Sequence, residues 1–251
     1  MVFFKAVTSN IKDFITFFSS INSAIDDIFT LYVENDGLYL KCELDSSHAC
    51  ITNIKISKSL FTSYLFKENF NIAINMSSFL QVLRLGSDGI MELQYEKSSD
   101  KITIKFIKGN DSSKSFDLRL FDIESREILE IPETEYDVSM NMASSEFSSI
   151  IRESNSFCDT IKFNITKQKI SILSNGEIGN YNFSFKPTTD MKITNNIDSI
   201  EFSNQYLIKF TKASAISSDV NIKISENYPI RILYTHEHGF IEFYLAPKIT
   251  D

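Results

Sequence analysis

Alternation of apolar and polar residues at period two dominates this chain. Ile28 to Leu40, Ile102 to Ile107, Ser115 to Leu120, Ile161 to Leu173, Tyr181 to Phe185, Val220 to Ile224 and Ile230 to Tyr234 are rich in β-branched and aromatic residues. Such segments predict half-buried strands. Turn chemistry punctuates them at Asn35-Asp36-Gly37, Gly86-Ser87-Asp88-Gly89, Gly109-Asn110-Asp111 and Asn175-Gly176-Glu177.

Four segments switch to helical spacing. In the first, Ser9 or Asn10 caps and Ile11, Phe14, Ile15 and Phe18 form one apolar stripe. In the second, Ser77 or Ser78 caps, Phe79, Leu80 and Leu83 pack, and Gly86 stops the helix. The third starts at Ser144 or Ser145 and buries Phe147, Ile150 and Ile151. The fourth starts near Ser203-Asn204 and buries Leu207 and Phe210. Helix, strands, helix, strands therefore occurs twice, which predicts an α+β chain with an internal duplication of roughly 125 residues. Two α+β halves of similar size without symmetry remain the alternative. Phe121 to Tyr136 is acidic, holds Pro132 and lacks a clean period, so it reads as a linker between residues 1–120 and 137–251.

Composition narrows the function. Charge is 25 basic minus 33 acidic residues, or −8. That sum argues against a general nucleic-acid binder but not against one basic face. The solvent faces of the four helices carry Lys12, Arg84, Arg152, Lys209 and Lys212, against Asp13, Glu146 and Glu153. A wet helix face showing charge is ordinary; the excess of cations gains force only if the helices share a face. Three Cys without a close-spaced pair predict no disulfide framework. The start of the chain has no signal-peptide pattern, and no apolar run reaches membrane-spanning length.

Catalytic chemistry is thin. His236-Glu237-His238 lacks a third partner at ligand spacing, so a solvated turn is the better reading than zinc. Ser47 and His48 are adjacent, and on an extended backbone they point to opposite faces, which prevents a nucleophile–base pair. No nucleotide-binding, metalloprotease or nucleophile-elbow motif is present. No enzyme, metal or cofactor is expected.

Four landmarks carry a resemblance. They are Leu44-Asp45-Ser46-Ser47-His48; Leu120-Phe121-Asp122-Ile123 through Ile131-Pro132-Glu133-Thr134-Glu135-Tyr136; Ser145-Glu146-Phe147 with Asn175-Gly176-Glu177-Ile178-Gly179-Asn180; and Phe210-Thr211-Lys212-Ala213 with Leu245-Ala246-Pro247-Lys248-Ile249. In this order and over essentially the whole length, the chain resembles the proliferating cell nuclear antigen family of DNA sliding clamps. The resemblance implies a DNA-clamp fold of two similar halves, each with antiparallel sheets and two short helices, joined by an interdomain connector loop at 121–136. It implies a head-to-tail homotrimeric ring with the helices lining the hole.

Lys12, Arg84, Arg152, Lys209 and Lys212 then become sequence-independent contacts to the duplex backbone. Asp13 and Ser19 stand where relatives often carry Lys, which implies weak direct DNA affinity and dependence on an ATP-driven clamp loader. A groove under the connector is implied, accepting Gln-x-x-aliphatic-x-x-aromatic-aromatic peptides of polymerases, ligases and nucleases. Its lining would be Leu44, His48, Ala49, Ile128, Ile131 and Pro132, with Pro229, Tyr244, Ala246 and Pro247. The connector is one residue longer than is common, with Ile128-Leu129 where a single Leu is usual. Subunit contact falls to the edge strands Ser115 to Leu120 and Asn180 to Phe185, through Phe116, Leu118, Tyr181 and Phe183. Lys167 stands where many eukaryotic members carry a modified Lys. The implied location is the nucleus, or a viral replication compartment. A checkpoint-type heterotrimer subunit, a monomeric viral processivity factor, and a metal enzyme using His236 and His238 stay open as alternatives.

Overall fold

The structure, a computed structural model, describes residues 2–86, 89–109, 112–122, 131, 134–226 and 228–248. It divides into two compact units. Unit 1 comprises Met1–Ser46, Thr52–Leu129 and His236–Phe240; unit 2 comprises Ser47–Ile51, Glu130–Thr235 and Ile241–Asp251.

In unit 1 one sheet has the order β5-β1-β7-β8-β9, built from β1 (Val2–Thr8), β5 (Ser63–Phe66), β7 (Ile90–Glu96), β8 (Lys101–Lys108) and β9 (Ser112–Arg119). A second run has the order β6-β2-β3-β4, from β2 (Ile28–Glu34), β3 (Gly37–Leu44), β4 (Cys50–Ser57) and β6 (Phe70–Asn75). Helices α1 (Ile11–Ile21) and α2 (Met76–Arg84) complete the unit.

Unit 2 repeats the plan. The strands are β10 (Val138–Ala143), β11 (Thr160–Ile165), β12 (Ile170–Gly176), β13 (Gly179–Phe185), β14 (Lys192–Ile193), β15 (Ile197–Ser203), β16 (Asp219–Ile224), β17 (Ile230–His236) and β18 (Gly239–Leu245). They run in the orders β14-β10-β16-β17-β18 and β13-β12-β11-β15. Helices α3 (Ser144–Asn155) and α4 (Asn204–Phe210) occupy the places of α1 and α2. Adding nine to every strand number of unit 1 reproduces both strand orders of unit 2, so the duplication read from the sequence holds in topology.

Helices this short are marginal on their own in water, and burial of one face holds them. In unit 1 the seam is aromatic: the Phe79 ring of α2 lies 6.2 Å from Phe14 and 5.0 Å from Phe18 of α1, and 5.8 Å from Phe29 of β2. All four rings are fully buried. In unit 2 the seam contains a polar link: the Asn204 amide, at the start of α4, donates to Ser154 Oγ at 3.0 Å and to the Cys158 carbonyl at 2.8 Å. Asn204 and Ser154 have no solvent exposure.

Sequence signals placed all four helices and missed some ends. Asn75, not Ser77 or Ser78, caps α2: its side chain accepts from the Ser78 amide at 2.9 Å. Asn10 stands at the start of α1 but makes no side-chain cap; its own amide donates to Thr8 Oγ1 at 2.9 Å. Lys212 belongs to a 3-10 turn, Thr211–Ala215, that follows α4. The segment 28–40 folds as two strands, turning at Asn35-Asp36; at Gly37, with φ +153°, an added Cβ would sit 2.2 Å from the Ile56 carbonyl oxygen. Only glycine tolerates that position.

Two outcomes follow. Phe79→Ala empties the centre of the aromatic seam, and its unfolding free energy in urea falls by about 3–5 kcal/mol. Asn204→Ala strands a part-buried carbonyl and a buried hydroxyl, and the same measurement shows a loss of about 1–3 kcal/mol.

Candidate nucleic-acid interface and partner groove

Burial of one helix face decides what the other face shows. On α1 the exposed cation is Lys12, in the first turn beside Asp13. On α2 the wet face is Ser77, Ser78, Gln81 and Arg84, with Arg84 in the last turn. On α3 it is Ser145, Glu146, Ser149, Arg152 and Glu153. Lys209 stands in the last turn of α4, with its ammonium 4.8 Å from the centre of the Tyr206 ring. Cations near helix C-termini lie at the negative end of the helix dipole, which favours Arg84, Arg152 and Lys209 where they are.

The two sets of cations differ in their partners. Six strand cations are neutralised: Lys5 pairs with Glu92, Lys41 with Glu34, Lys55 with Asp36, Lys101 with Asp117, Lys162 with Glu201 and Arg231 with Glu242, while Lys105, Lys114, Arg119, Lys192 and Lys223 have no salt bridge among the described residues. The effect is visible on the acids, since hydrogen bonds from Lys55 and Tyr39 hold the Asp36 carboxyl below the usual carboxylate range. Among the described residues, no carboxylate lies within salt-bridge reach of Lys12, Arg84, Arg152, Lys209 or Lys212. These five cations are thus left without a direct ion pair among the described residues.

The residues expected at a partner groove divide between the units. Leu44, half-buried at the end of β3, belongs to unit 1. His48, Ala49, Ile131, Pro229, Tyr244, Ala246 and Pro247 belong to unit 2. Ile128 and Pro132 lie outside the described residues. Within unit 2 the Ala246 amide donates to the Ala49 carbonyl at 3.0 Å, which ties the tail after β18 to the loop before β4. Ser47 and the Tyr206 hydroxyl share a hydrogen bond that fastens the same loop to α4. His48 is exposed in a left-handed backbone conformation with φ 58°.

Tyr136, at the far end of the connector, donates to the Pro229 carbonyl at 3.3 Å, and the Lys223 ammonium lies 6.0 Å from its ring centre. Beneath Tyr244 stands an ion pair that sequence reasoning missed: Arg231 Nε donates to Glu242 Oε1 at 2.6 Å. A signal for it existed, because Arg231 and Glu242 are opposite charges at outward positions of consecutive strands.

Strands β9 and β13 each end a sheet, one in each unit. Phe116 and Leu118 of β9 and Tyr181 and Phe183 of β13 are all half-buried, more exposed than core residues of their type. The Tyr181 hydroxyl donates to Glu153 Oε2 at 3.1 Å, and burial with that carboxylate pushes its phenol up to about 12. Lys167 is exposed in the β11–β12 hairpin, where its backbone amide donates to Asn196 Oδ1 at 3.3 Å. The His236 ring packs edge-on against Phe17, and His238 Nδ1 meets Ser59 Oγ at 3.2 Å. Among the described residues, no group of three or more His, Cys, Asp or Glu could hold a metal ion. Nor is any helix long and apolar enough to cross a membrane.

Comparison with known proteins matches both halves. Residues 4–128 fit the model of the proliferating cell nuclear antigen N-terminal domain, and residues 130–249 fit that of its C-terminal domain. The proliferating cell nuclear antigen of Chaetomium thermophilum is 31% identical over 228 residues, covering 86% of this chain and 87% of that protein. That of Saccharomyces cerevisiae is 28% identical over 228 residues, covering 87% and 88%. Two halves of one topology, each presenting uncancelled helix cations, and two matching domain models in series place the chain in the proliferating cell nuclear antigen family.

Proposed function

We propose that the chain works as a sliding clamp and processivity factor: a non-enzymatic tether that encircles duplex DNA and holds DNA polymerase and other replication and repair proteins. One observation carries the reading beyond family membership. Among the described residues Lys12, Arg84, Arg152, Lys209 and Lys212 have no carboxylate within salt-bridge reach, whereas Lys5, Lys41, Lys55, Lys101 and Lys162 on strands are paired, so the helix cations are left to attract phosphate. Lys12, Arg84, Arg152, Lys209 and Lys212 make weak contacts with the backbone and none with base edges, as sliding requires. Localisation follows the relatives, which are nuclear antigens by name.

Encirclement needs more than one copy. The open edges β9 and β13 are unlike each other, so pairing one with the other is a head-to-tail contact, and such contacts form rings when the rotation closes. Phe116 and Leu118 then meet Tyr181 and Phe183 of the next copy, three copies close the ring, and a clamp loader opens it. Segments of partner proteins occupy the groove lined by Leu44, His48, Ala49, Ile128, Ile131 and Pro132 on one side, and Pro229, Tyr244, Ala246 and Pro247 on the other. Lys167, exposed on a hairpin, is the proposed modification site; unaltered damage tolerance in Lys167→Arg cells would remove it.

Light scattering across a dilution series tests the ring. The expected mass is about 86 kDa, three times the 28.8 kDa chain, and Phe183→Asp moves it towards a single chain with secondary structure intact. A wild-type mass of one chain at all concentrations would overturn the homotrimer. Neutralising the helix cations tests the DNA surface. Each Ala substitution that removes a phosphate contact lowers the slope of log affinity against log salt by about 1. Processivity of the loaded polymerase falls in step, while the mass stays unchanged.

A further inference from the structure

The outward side of β16, β17 and β18 holds a charged group that family membership does not explain. Ile230, Ile232, Tyr234, Ile241, Phe243 and Leu245 are buried in the core, so Arg231 and Leu233 of β17, and Glu242 and Tyr244 of β18, project the other way. The Arg231 and Glu242 side chains are only 20% and 11% exposed. A pair this dry gains little over apolar residues of the same volume, because desolvation offsets the attraction. Stability therefore does not account for it.

Its geometry is directional. Glu242 lies deeper and takes the Arg231 Nε hydrogen. Tyr244, two residues along β18 from Glu242, projects from the same outward side as Arg231. An arginine fork has five N–H donors, and the more exposed rim of this one still faces outward. The Lys223 ammonium, over Tyr136, adds another donor on the same side. The Asp137 carboxylate, next to Tyr136 in the chain, is already occupied: it accepts from Asn195 at 2.6 Å and also from Ser225. A surface of net donors thus adjoins Tyr244 in a chain of charge −8.

We propose that Arg231, held by Glu242, forms a subsite of the partner groove that selects peptides carrying a carboxylate next to their aromatic plug. The proposal rests on the groove reading given above, because Tyr244 links the two. Glu242 fixes the guanidinium plane and cancels its net charge. The subsite therefore discriminates by donor geometry at contact and does little to attract acidic chains from a distance.

Calorimetry with the full-length chain and synthetic peptides tests it. The peptides share a Gln-x-x-Leu-x-x-Phe-Phe core and carry Asp, Asn or Lys in turn at each position flanking the aromatic pair. At one flank the Asp peptide binds wild type roughly five- to tenfold more tightly than the Lys peptide, with Asn between. In Arg231→Leu/Glu242→Leu, which leaves no lone buried charge, that ratio falls to about one while the core peptide still binds. Arg231→Lys, the conservative variant, keeps the charge and loses the fork, so the preference for Asp over Asn shrinks; this variant decides the matter if the double variant does not fold. Equal binding of the three peptides to wild type at every flank, or an unchanged ratio in the variants, overturns the subsite. Failure of the core peptide to bind wild type at all overturns the groove, and the subsite with it.

Discussion

Everything in this structure depends on short helices having only one way to exist. None of the four exceeds 12 residues, too few for stability in water without a partner. Each is held by its apolar face, through the Phe14, Phe18, Phe29 and Phe79 rings in unit 1 and through Leu207, Phe210 and the Asn204 link in unit 2. That requirement fixes which face is left wet. Lys12, Arg84 and Arg152 are exposed because the stripe next to them is buried, not because anything in the fold positions them individually.

Sheets also neutralise part of the charge they carry. Strands lie side by side, and cross-strand neighbours are close enough for Lys5 to find Glu92 and for Lys101 to find Asp117. On the helices Asp13, Glu146 and Glu153 lie out of ion-pair reach of Lys12 and Arg152, so these cations meet no equivalent partner among the described residues. A chain with an acidic sum thus keeps unpaired cations on its helices without any cluster of basic residues in its sequence.

The helices and the duplication were legible because the signals are local: a 3.6-residue stripe and its order of recurrence. Helix ends were less legible, since Asn75, Ser77 and Ser78 are all acceptable caps and only backbone geometry chose Asn75. Strands such as β1 and β4 passed unremarked although their burial largely alternates, because neither is bounded by a diagnostic turn at both ends. At the groove, Tyr244 and Pro229 were named from resemblance, whereas Arg231 and Glu242 were not. An ion pair 11 residues apart in sequence becomes visible only when the register of β17 against β18 is known.

The two unlike sheet edges have a consequence for the life of a single copy. A lone chain displays β9 and β13 at once, each with a row of backbone donors and acceptors and half-buried aromatics alongside. Such edges accept any extended segment that arrives, native or not. Newly made chains are therefore at their most vulnerable before assembly. Because assembly is a concentration-dependent encounter, the number of free copies, rather than folding rate, then sets the interval during which chaperones and proteases can compete for them.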